Sequence, residues 1–385
     1  MQDKKRKICV LVLNRSEYSR LKPLIKVLIS DDRIELSIVT LKSRYANNEI
    51  LFKNDNLPLT HVINLDIKAR ELSEMPKAIG RLLEKFGDLF HRNKPDAVVI
   101  HGDRYEAIAA ALAATFNNIY IAHLQGGEVT GTADEHIRHA ITKLAHLHLT
   151  STIEARNRII KLGEPEESVI NTGCPGVDLL LNTPAFSFLE LRYELYKSAN
   201  NRIEILEKFR DDYMLVMQSS VTTEDDKAED QIIATLKALD NFKETKVIML
   251  PNPDAGGDKI EREIKKFVSK RNDFIIFKHF PPELFVNLMR NTRVMVGNSS
   301  AGIRETGYFG VPTVNIGTRQ IGRERSENII DVGNDEKEIT AAIRKQLEHG
   351  PYKPERIYGE GNAAAKIAEI LSSVDFSKIQ KQITY

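Results

Sequence analysis

The sequence contains no tryptophan, only two cysteines and no long apolar run. Cys9 lies in an apolar stretch and Cys174 follows a glycine in a predicted turn. The two cysteines have no metal-ligand spacing. A reduced, cytoplasmic protein is the most economical interpretation of this cysteine usage. No apolar run approaches the length of a membrane-spanning helix. The basic stretch 1–7 leads into a short apolar strand, which is not typical of a signal peptide.

An excess of charge of one sign is also missing. The 55 lysines and arginines are balanced by 54 aspartates and glutamates, which gives a formal net charge of +1. This balance gives no reason to expect nucleic acid or an anionic membrane as a partner. Apolar residues make up 42% of the chain and charged residues 28%, an ordinary composition for a soluble protein. Because 385 residues exceed what one hydrophobic core usually takes, we predict two domains.

Short apolar runs alternate with helical patterns through the first half of the chain. Continuous apolar runs of this length are typical of strands buried on both faces of a parallel sheet. The predicted strands are residues 8–13, 34–41, 97–100, 119–124, 147–152 and 169–172. Because polar residues follow several of these strands, we predict a doubly wound parallel sheet with its functional site along the carboxyl edge. Residues 44–56 have little apolar pattern and are predicted to form a loop or a mobile segment.

The same alternation returns in the second half of the chain. The predicted strands there are residues 214–218, 247–250, 274–277, 292–296 and 314–316. We predict an N-terminal domain over residues 1–180 and a C-terminal domain over residues 181–362, with a helical connection at about 182–211. Residues 363–371 have a helical pattern, and the segment 363–385 is expected to pack back on the N-terminal domain.

The junction at residues 297–300 (GNSS) is the strongest indication of a binding site. It connects a β-branched run to a helix that the pattern predicts over residues 301–309. Such a junction points main-chain N–H groups and the helix dipole at one spot, which suits a phosphate. Ser299 and Ser300 add hydroxyl donors. The alternative is an ordinary capped helix.

Charged groups at other strand ends fit the same ligand. Glu305 lies one turn into the predicted helix, and Arg319 and Arg323 lie just past the next strand, as a ribose hydroxyl and a diphosphate would require. Arg15 and Ser19 lie at another strand-to-helix junction, which is also a natural position for a phosphate. An N-capped first helix with a solvent-facing arginine explains that junction about as well.

Three carboxylates follow predicted strands of the first half. Asp103, Glu128 and Asp134 fall at strand ends or at the start of the following helix. Carboxylates that face one cleft can divide into an acid and a base, because burial and mutual repulsion separate their pKa values. Each also has a structural explanation: Asp134 as an N-cap, Glu128 as a solvated loop charge, and Asp103 as a partner of Arg104.

The histidines give no comparable pattern. None of them pairs with cysteine or carboxylate at a convincing metal-ligand spacing, so no metal site is predicted. The histidines considered are His123, His136, His139, His146 and His148.

Several motifs together resemble one known family. They are NRSEYS (14–19), HGDR (101–104), GGEVTGT (126–132), RHAITKL (138–144), GNSS (297–300), GTRQIGRE (317–324) and YGEGN (358–362). This set resembles the hydrolysing UDP-N-acetylglucosamine 2-epimerases, over nearly the whole chain and with almost no gaps. It is especially similar to the epimerase half of the bifunctional epimerase/N-acetylmannosamine kinase, and to the epimerases of bacterial sialic acid pathways.

The resemblance implies a fold and a reaction. The fold is two Rossmann-like domains of the glycosyltransferase-B type, with UDP and the active site in the cleft between them. UDP leaves by anti elimination across C1–C2, and water adds to the resulting 2-acetamidoglucal to give N-acetylmannosamine, the first step towards sialic acid. The resemblance implies no redox cofactor and no obligatory metal, and it implies a homodimer or homotetramer.

The resemblance also assigns residues by position. Asp103, Glu128 and Asp134 are implied to handle protons at C2, at C3 or on the incoming water, and the individual assignments stay open. The positions implied to contact UDP are Arg15, Ser19, Arg104, Ser219, Asn252, Phe280 through its backbone, Ser299, Ser300, Glu305 and Arg319.

Two positions depart from the family pattern. Relatives usually carry histidine where this chain has Ser219, and a serine hydroxyl cannot act as a base near neutral pH. Gln125 lies where some relatives have glutamate or histidine.

A related branch acts on UDP- or GDP-linked 2,4-diacetamido-2,4,6-trideoxyhexoses on the way to legionaminic acid, and this substrate is the main alternative. A retaining glycosyltransferase and a nucleotide-sugar-binding regulator without catalysis are the others.

Overall fold

A computed structural model describes residues 5–43, 48–65, 72–251, 256–269, 271–382 and 384. The chain forms two compact units. The first unit comprises Met1–Glu128, Ala133–Asn182 and Tyr358–Tyr385, and the second unit comprises Val129–Thr132 and Thr183–Ile357. Within the described ranges, no helix is both long enough and apolar enough to cross a membrane.

The described part of the first unit contains one parallel sheet of seven strands. In chain order these are β1 (Arg6–Val12), β2 (Ile34–Ser43), β3 (His61–Leu65), β4 (Ala97–His101), β5 (Tyr120–Leu124), β6 (Leu147–Thr150) and β7 (Val169–Asn171). Across the sheet the order is β3-β2-β1-β4-β5-β6-β7. The chain winds outwards from β1 to β3 and then returns to place β4 beside β1, so the topological switch point lies between β1 and β4.

Helices cover both faces of this sheet, because its strands are apolar on both sides. Ile8, Val10 and Val12 of β1 pack in one buried cluster, while Cys9 and Leu11 pack in the other. The helices that connect or follow the strands are α1 (Arg15–Ile29), α2 (Glu49–Asn54), α3 (Met75–Asn93), α4 (Tyr105–Phe116), α5 (Asp134–Leu144), α6 (Ile153–Lys161) and α7 (Pro175–Asn182). Short 3₁₀ turns lie at Leu72–Glu74 and Glu166–Ser168.

The described part of the second unit contains a parallel sheet of six strands. These are β8 (Tyr213–Met217), β9 (Thr245–Met249), β10 (Phe274–Phe277), β11 (Val294–Gly297), β12 (Thr313–Ile316) and β13 (Ile329–Val332). Across the sheet the order is β10-β9-β8-β11-β12-β13. The winding is that of the first unit, and the switch point here lies between β8 and β11.

The helices of the second unit are α8 (Phe188–Ser198), α9 (Glu204–Lys208), α10 (Ala228–Leu239), α11 (Gly257–Val268), α12 (Pro282–Asn291), α13 (Ala301–Arg304) and α14 (Glu336–His349). Two 3₁₀ segments lie at Thr222–Lys227 and Thr306–Phe309. The segment that the sequence predicted as a helical connection therefore contributes α8 and α9 to this unit, and α8 packs on α12.

The last helix of the chain returns to the first unit. It is α15 (Ala363–Ser373), which packs on α1 and α7. The carboxylate of Asp178 on α7 accepts hydrogen bonds from the main-chain N–H groups of Ala363, at 3.0 Å, and Ala364, at 2.7 Å. Because these are N–H groups of the first turn, Asp178 satisfies donors that have no partner within the helix.

Some elements differ from their predictions. Strands β3 and β13, which the sequence did not predict, are edge strands with partly exposed faces and therefore lack a continuous apolar run. The prediction of a loop over residues 44–56 is wrong at α2, and residues 44–47 lie outside the described residues. Asp134 is the first residue of α5 rather than its N-cap, which is Ala133.

The prediction of a single helix over residues 301–309 is also wrong. Helix α13 is one turn long, and a 3₁₀ turn follows Glu305, whose φ is −115°. The hydroxyl of Thr306 donates to the carbonyl of Gly302 at 2.7 Å, a side-chain bond that competes with regular helix formation. With so short a helix, the dipole contributes little, and the case for a phosphate rests on hydroxyl and N–H donors.

Candidate active site

Asp103 lies at the carboxyl end of β4, beside the switch point of the first unit. The preceding residue, Gly102, has a φ of 77°, and its N–H donates to the carbonyl of Leu124 at 3.0 Å. Its carbonyl lies 2.8 Å from Nε2 of the buried His123. Because a carbonyl only accepts, Nε2 carries the proton. Burial lowers the pKa of His123 to about 3, so the ring is neutral and holds the peptide before Asp103 in place.

Arg138 on α5 connects the acidic groups of this edge. Its side chain is 1% exposed and forms an ion pair with Asp103. One of its guanidinium nitrogens, Nη1, donates to the carbonyl of Glu128 at 2.8 Å and to the carboxylate of Glu135 at 2.7 Å. Burial by itself lowers the pKa of Arg138, but the carboxylates of Asp103, Glu128 and Glu135 together raise that pKa above its ordinary value. Arg138 is therefore a permanent cation that orients Asp103.

Glu128 is held by its main chain. Gly127 before it has a φ of 75°, and a Cβ at that position would lie 2.2 Å from the carbonyl oxygen of Ala155. Only glycine allows this approach of α6, and Arg158 donates to the Gly127 carbonyl at 3.2 Å. Because Glu128 is 4% exposed, its interpretation as a solvated loop charge is wrong.

Asp134 is the half-buried first residue of α5. It precedes Arg138 by four residues, so both side chains lie on the same face of the helix. The structure therefore brings Asp103 and Glu128 together at Arg138 and places Asp134 one turn away on the same helix.

The N-terminus of α1 carries two residues predicted to contact UDP. Arg15 is the first residue of α1, and Asn14 caps the helix by accepting the N–H of Glu17 at 3.0 Å. Ser19 lies one turn further, with its hydroxyl 3.5 Å from the carbonyl of Arg15. The predicted capped helix is therefore present, at the carboxyl end of β1 and beside the same switch point.

A second charged cluster lies around Arg104, which precedes α4. Arg104 pairs with the buried Glu106 at 3.1 Å. Glu17 is buried nearby, and its burial raises its pKa to about 8. The N–H of Leu13, which donates to Glu17 at 2.7 Å, and the charge of Arg104 oppose this rise, while Glu106 and Asp103 add to it. Arg104 is thus the positive charge that lies among the buried carboxyl groups of Glu17 and Glu106.

In the second unit, the predicted UDP-binding serines follow the two strands at the switch point. Ser219 follows β8, and Ser299 and Ser300 follow β11. All three are half-buried. The hydroxyl of Ser299 accepts the N–H of Ala301 at 3.3 Å, and Ser300 is the N-cap of α13. Hydroxyl and main-chain donors are thus present at neighbouring strand ends.

The remaining predicted contacts are spread along the same sheet edge. Arg319 follows β12, and its Nη1 donates to the carbonyl of Asn298 at 3.2 Å. Glu305 is half-buried between α13 and the 3₁₀ turn. Phe280 follows β10 and is buried. Asn252 lies outside the described residues.

A cavity of about 900 Å³ lies at the ends of β12 and β13. Residues lining it include Gly317, Arg323, Arg325, Asp331 and Lys345. None of the described residues that the resemblance assigns to UDP lines this cavity. Arg323, which the sequence pattern alone associated with a diphosphate, does line it. Among the side chains that the structure describes, no cluster of three or more His, Cys, Asp or Glu residues is arranged to hold a metal ion.

Three functional candidates were not identified from the sequence: Arg138, His123 and Asn298. A signal for Arg138 was available, because it follows Asp134 by four residues and precedes the apolar Ile141 by three, and so lies on the core-facing side of α5. His123 and Asn298 act through main-chain hydrogen bonds, for which the sequence has no pattern.

Comparison with known proteins gives consistent relatives. The UDP-N-acetylglucosamine 2-epimerase family model matches residues 27–372. The UDP-N,N'-diacetylbacillosamine 2-epimerase (hydrolyzing) of Legionella pneumophila is 33% identical over 375 residues, which cover 96% of each chain. The UDP-N-acetylglucosamine 2-epimerase of Neisseria meningitidis is 28% identical over 385 residues, which cover 98% of each chain.

A solved structure shows the fold. The crystal structure of UDP-GlcNAc 2-epimerase from Neisseria meningitidis bound to UDP-GlcNAc aligns with a TM-score of 0.78, at 18% identity, over 95% of this chain and 99% of that chain. The predicted fold class, two Rossmann-like α/β domains with parallel sheets of the glycosyltransferase-B-like kind, is confirmed. With a family match over most of its length, the chain belongs to the UDP-N-acetylglucosamine 2-epimerase family.

Proposed function

We propose that the protein is a hydrolysing 2-epimerase that converts UDP-N-acetylglucosamine and water to N-acetylmannosamine and UDP. Family membership supports the reaction class. The observation that carries the proposal is Arg138, a buried cation that orients Asp103 and holds the main chain of Glu128 at the carboxyl edge of the sheet. Carboxylates held in this way suit the transfer of protons to and from carbon and water.

The reaction has two balanced steps. In the first, a carboxylate removes the proton at C2, the C2–H electron pair forms the C1=C2 double bond, and the C1–O bond breaks with its electron pair leaving on UDP. In the second, the C1=C2 electron pair takes up a proton at C2 from the opposite face, and the oxygen of water bonds to C1 while the water gives one of its protons to a carboxylate. We propose that Asp103, Glu128 and Asp134 handle these protons.

The departing diphosphate needs stabilisation, because the proton at C2 is only weakly acidic. Arginine, hydroxyl and main-chain N–H donors supply it. The groups that we propose for UDP are Arg15, Ser19, Arg104, Ser219, Asn252, Phe280, Ser299, Ser300, Glu305 and Arg319.

A second candidate substrate is a UDP- or GDP-linked 2,4-diacetamido-2,4,6-trideoxyhexose. The diacetylbacillosamine relative is 33% identical to this chain, against 28% for the N-acetylglucosamine relative. Ser219 and Gln125, which depart from the family pattern, also support this candidate. On this alternative the same elimination and hydration serve the legionaminic acid pathway instead of the sialic acid pathway.

Proton NMR in deuterated water tests the proposal. We expect UDP and N-acetylmannosamine with deuterium at C2 from UDP-N-acetylglucosamine, and no turnover from an Asp103→Asn variant. The UDP- and GDP-linked diacetamido sugars are assayed in parallel, and the preferred substrate has the highest kcat/KM. A requirement for an acceptor indicates a glycosyltransferase, and binding without turnover of any of the three sugars indicates a regulator; either contradicts the proposal.

The assembly is a further part of the proposal. We propose a cytoplasmic homodimer or homotetramer, as the family resemblance implies. Light scattering coupled to size-exclusion chromatography measures the mass against the 43.6 kDa of one chain. A monomer at assay concentration contradicts this part alone.

A further inference from the structure

We infer that Asn298 is a positioning residue for the diphosphate of the nucleotide sugar, because it ties together three strand ends that carry predicted phosphate contacts. This inference rests on the proposed function, since it concerns how UDP is held. Asn298 follows Gly297, the last residue of β11, and is 2% exposed. The sequence pattern indicated a binding site at the junction 297–300 but gave Asn298 itself no role.

The side chain of Asn298 binds the main chain of Ser219 from both sides. Its Oδ1 accepts the N–H of Ser219 at 2.8 Å, and its Nδ2 donates to the carbonyl of Ser219 at 2.8 Å. One amide thus pairs with both main-chain polar groups of Ser219, the second residue after β8. The position of the Ser219 main chain is therefore set by Asn298 whatever side chain residue 219 carries.

The main chain of Asn298 extends this connection to β12. Its N–H donates to the carbonyl of Met217 at 3.0 Å. Its carbonyl accepts from Nη1 of Arg319 at 3.2 Å and from Nε2 of Gln320 at 2.9 Å. Ser219, Ser299 and Arg319 therefore follow three adjacent strands, β8, β11 and β12, that meet at this one residue.

The approach of the two strands at this point is unusually close. Gly297 has a φ of 132°, and a Cβ there would lie 2.1 Å from the carbonyl oxygen of Met217. Glycine is therefore required before Asn298, and the pair Gly297-Asn298 forms the junction between β11 and β8. This junction is the switch point of the second unit, where open α/β sheets bind their ligands.

A side-chain amide does not ionise near neutral pH, so Asn298 is no acid or base and acts through the groups that it binds. Loss of its side chain leaves the segments after β8 and β11 to be ordered when the diphosphate binds. Ordering segments at the moment of binding lowers affinity. The expected signature is a weaker affinity for UDP and a higher KM, with an unchanged pH profile of kcat.

Asn298→Ala tests this inference, with Asn287→Ala as its matched control. Asn287 on α12 is fully buried in the same unit, and it likewise accepts a main-chain N–H, from Phe186 at 2.8 Å, and donates to a carbonyl, that of Pro184 at 3.0 Å. UDP affinity is measured by titration calorimetry and folding by thermal unfolding. We expect Asn298→Ala to weaken UDP binding by about tenfold, or 1.4 kcal/mol. Asn287→Ala should lower the melting temperature but leave the affinity unchanged.

A second variant keeps the test informative if Asn298→Ala does not fold. Gln320→Leu removes the hydrogen bond from Nε2 to the Asn298 carbonyl while keeping a similar side-chain volume. We expect a smaller loss of UDP affinity in the same direction. Unchanged affinity in the variants, or an equal loss in Asn287→Ala, overturns the positioning role and leaves the proposed function standing. A wild-type protein that binds no UDP contradicts the proposed function and this inference together.

Discussion

Replacing Arg138 by lysine tests the role of the buried guanidinium in catalysis. Lysine keeps the positive charge but replaces the planar fork by a single ammonium group. Arg138 reaches the Asp103 carboxylate through Nη2, and the Glu128 carbonyl and Glu135 carboxylate through Nη1. A single ammonium cannot reproduce this fork, so Arg138→Lys loses at least one hydrogen bond to a charged group.

The size of the effect follows from these contacts. A hydrogen bond to a charged group contributes about 1.5–3 kcal/mol. If the lost bond is one that orients Asp103 during proton transfer, kcat/KM should fall by roughly ten- to a hundredfold. UDP is predicted to contact other residues, so the inhibition constant of UDP as a product should stay within about twofold of the wild-type value.

The assay is the rate of UDP release from the preferred nucleotide sugar, with urea unfolding to monitor the fold. Arg156→Lys is the control, because Arg156 also pairs with a carboxylate, that of Glu166 at 2.6 Å, and donates to the carbonyl of Val169 at 3.1 Å. We expect the control to retain wild-type kcat/KM. If a folded Arg138→Lys retains it as well, or if both variants lose it equally, the assigned role of Arg138 is refuted.

Three further predictions concern stability. Glu164 is 1% exposed, and burial by itself raises its pKa. Hydrogen bonds from three described basic side chains outweigh burial and lower this pKa to about 2, against 4.5 in the unfolded chain. The carboxylate therefore contributes about 3 kcal/mol to the free energy of unfolding above pH 4.5, and this contribution is lost towards pH 2. In urea unfolding, Glu164→Gln should be less stable than the wild type at pH 7, and the difference between the two should be smaller at pH 3. His123 titrates at about pH 3 when folded and 6.5 when unfolded, so its stability contribution falls as pH drops through 6.5, by about 2 kcal/mol between pH 7 and 5. His123→Gln, which keeps a donor and does not titrate, should abolish this part of the pH dependence; an unchanged slope contradicts the neutral ring. Gly127→Ala should lower the melting temperature sharply, because its positive φ costs about 1–3 kcal/mol before the clash with Ala155. Gly87→Ala in α3 should raise it, since a Cβ there meets nothing within 4 Å.

The sheets were predictable because their central strands are buried on both faces. The predicted strands over residues 8–13 and 97–100 correspond to β1 and β4, whose apolar residues alternate between two buried clusters. The edge strands β3 and β13 were not predicted, because each has exposed positions that interrupt the apolar run. The edge strands β7 and β10 were nevertheless predicted, so a local apolar run, rather than position in the sheet, decided which strands the sequence indicated.

The site was only partly predictable, for a different reason. Sequence patterns single out charged residues that follow strands, and Asp103 and Glu128 were predicted in this way. They do not indicate which cation a carboxylate contacts, and Asp103 forms an ion pair with Arg138, which lies 35 residues further along the chain. The roles of the predicted residues stay predictions until the variants above are measured.

Ser219 is where the unpredicted contacts bear most directly on function. Because Asn298 holds both main-chain polar groups of Ser219, a substitution at position 219 changes the side chain while the main chain stays fixed. Ser219→His should therefore present an imidazole at the end of β8 without rearranging the neighbouring serines. If this variant gains activity on UDP-N-acetylglucosamine over the wild type, the serine is a loss in an enzyme for that sugar. If the wild type prefers the diacetamido sugar and the histidine lowers that activity, the serine belongs to the recognition of the second substrate. If the variant and the wild type have the same kinetics on each of the two sugars, residue 219 contributes nothing beyond its main chain.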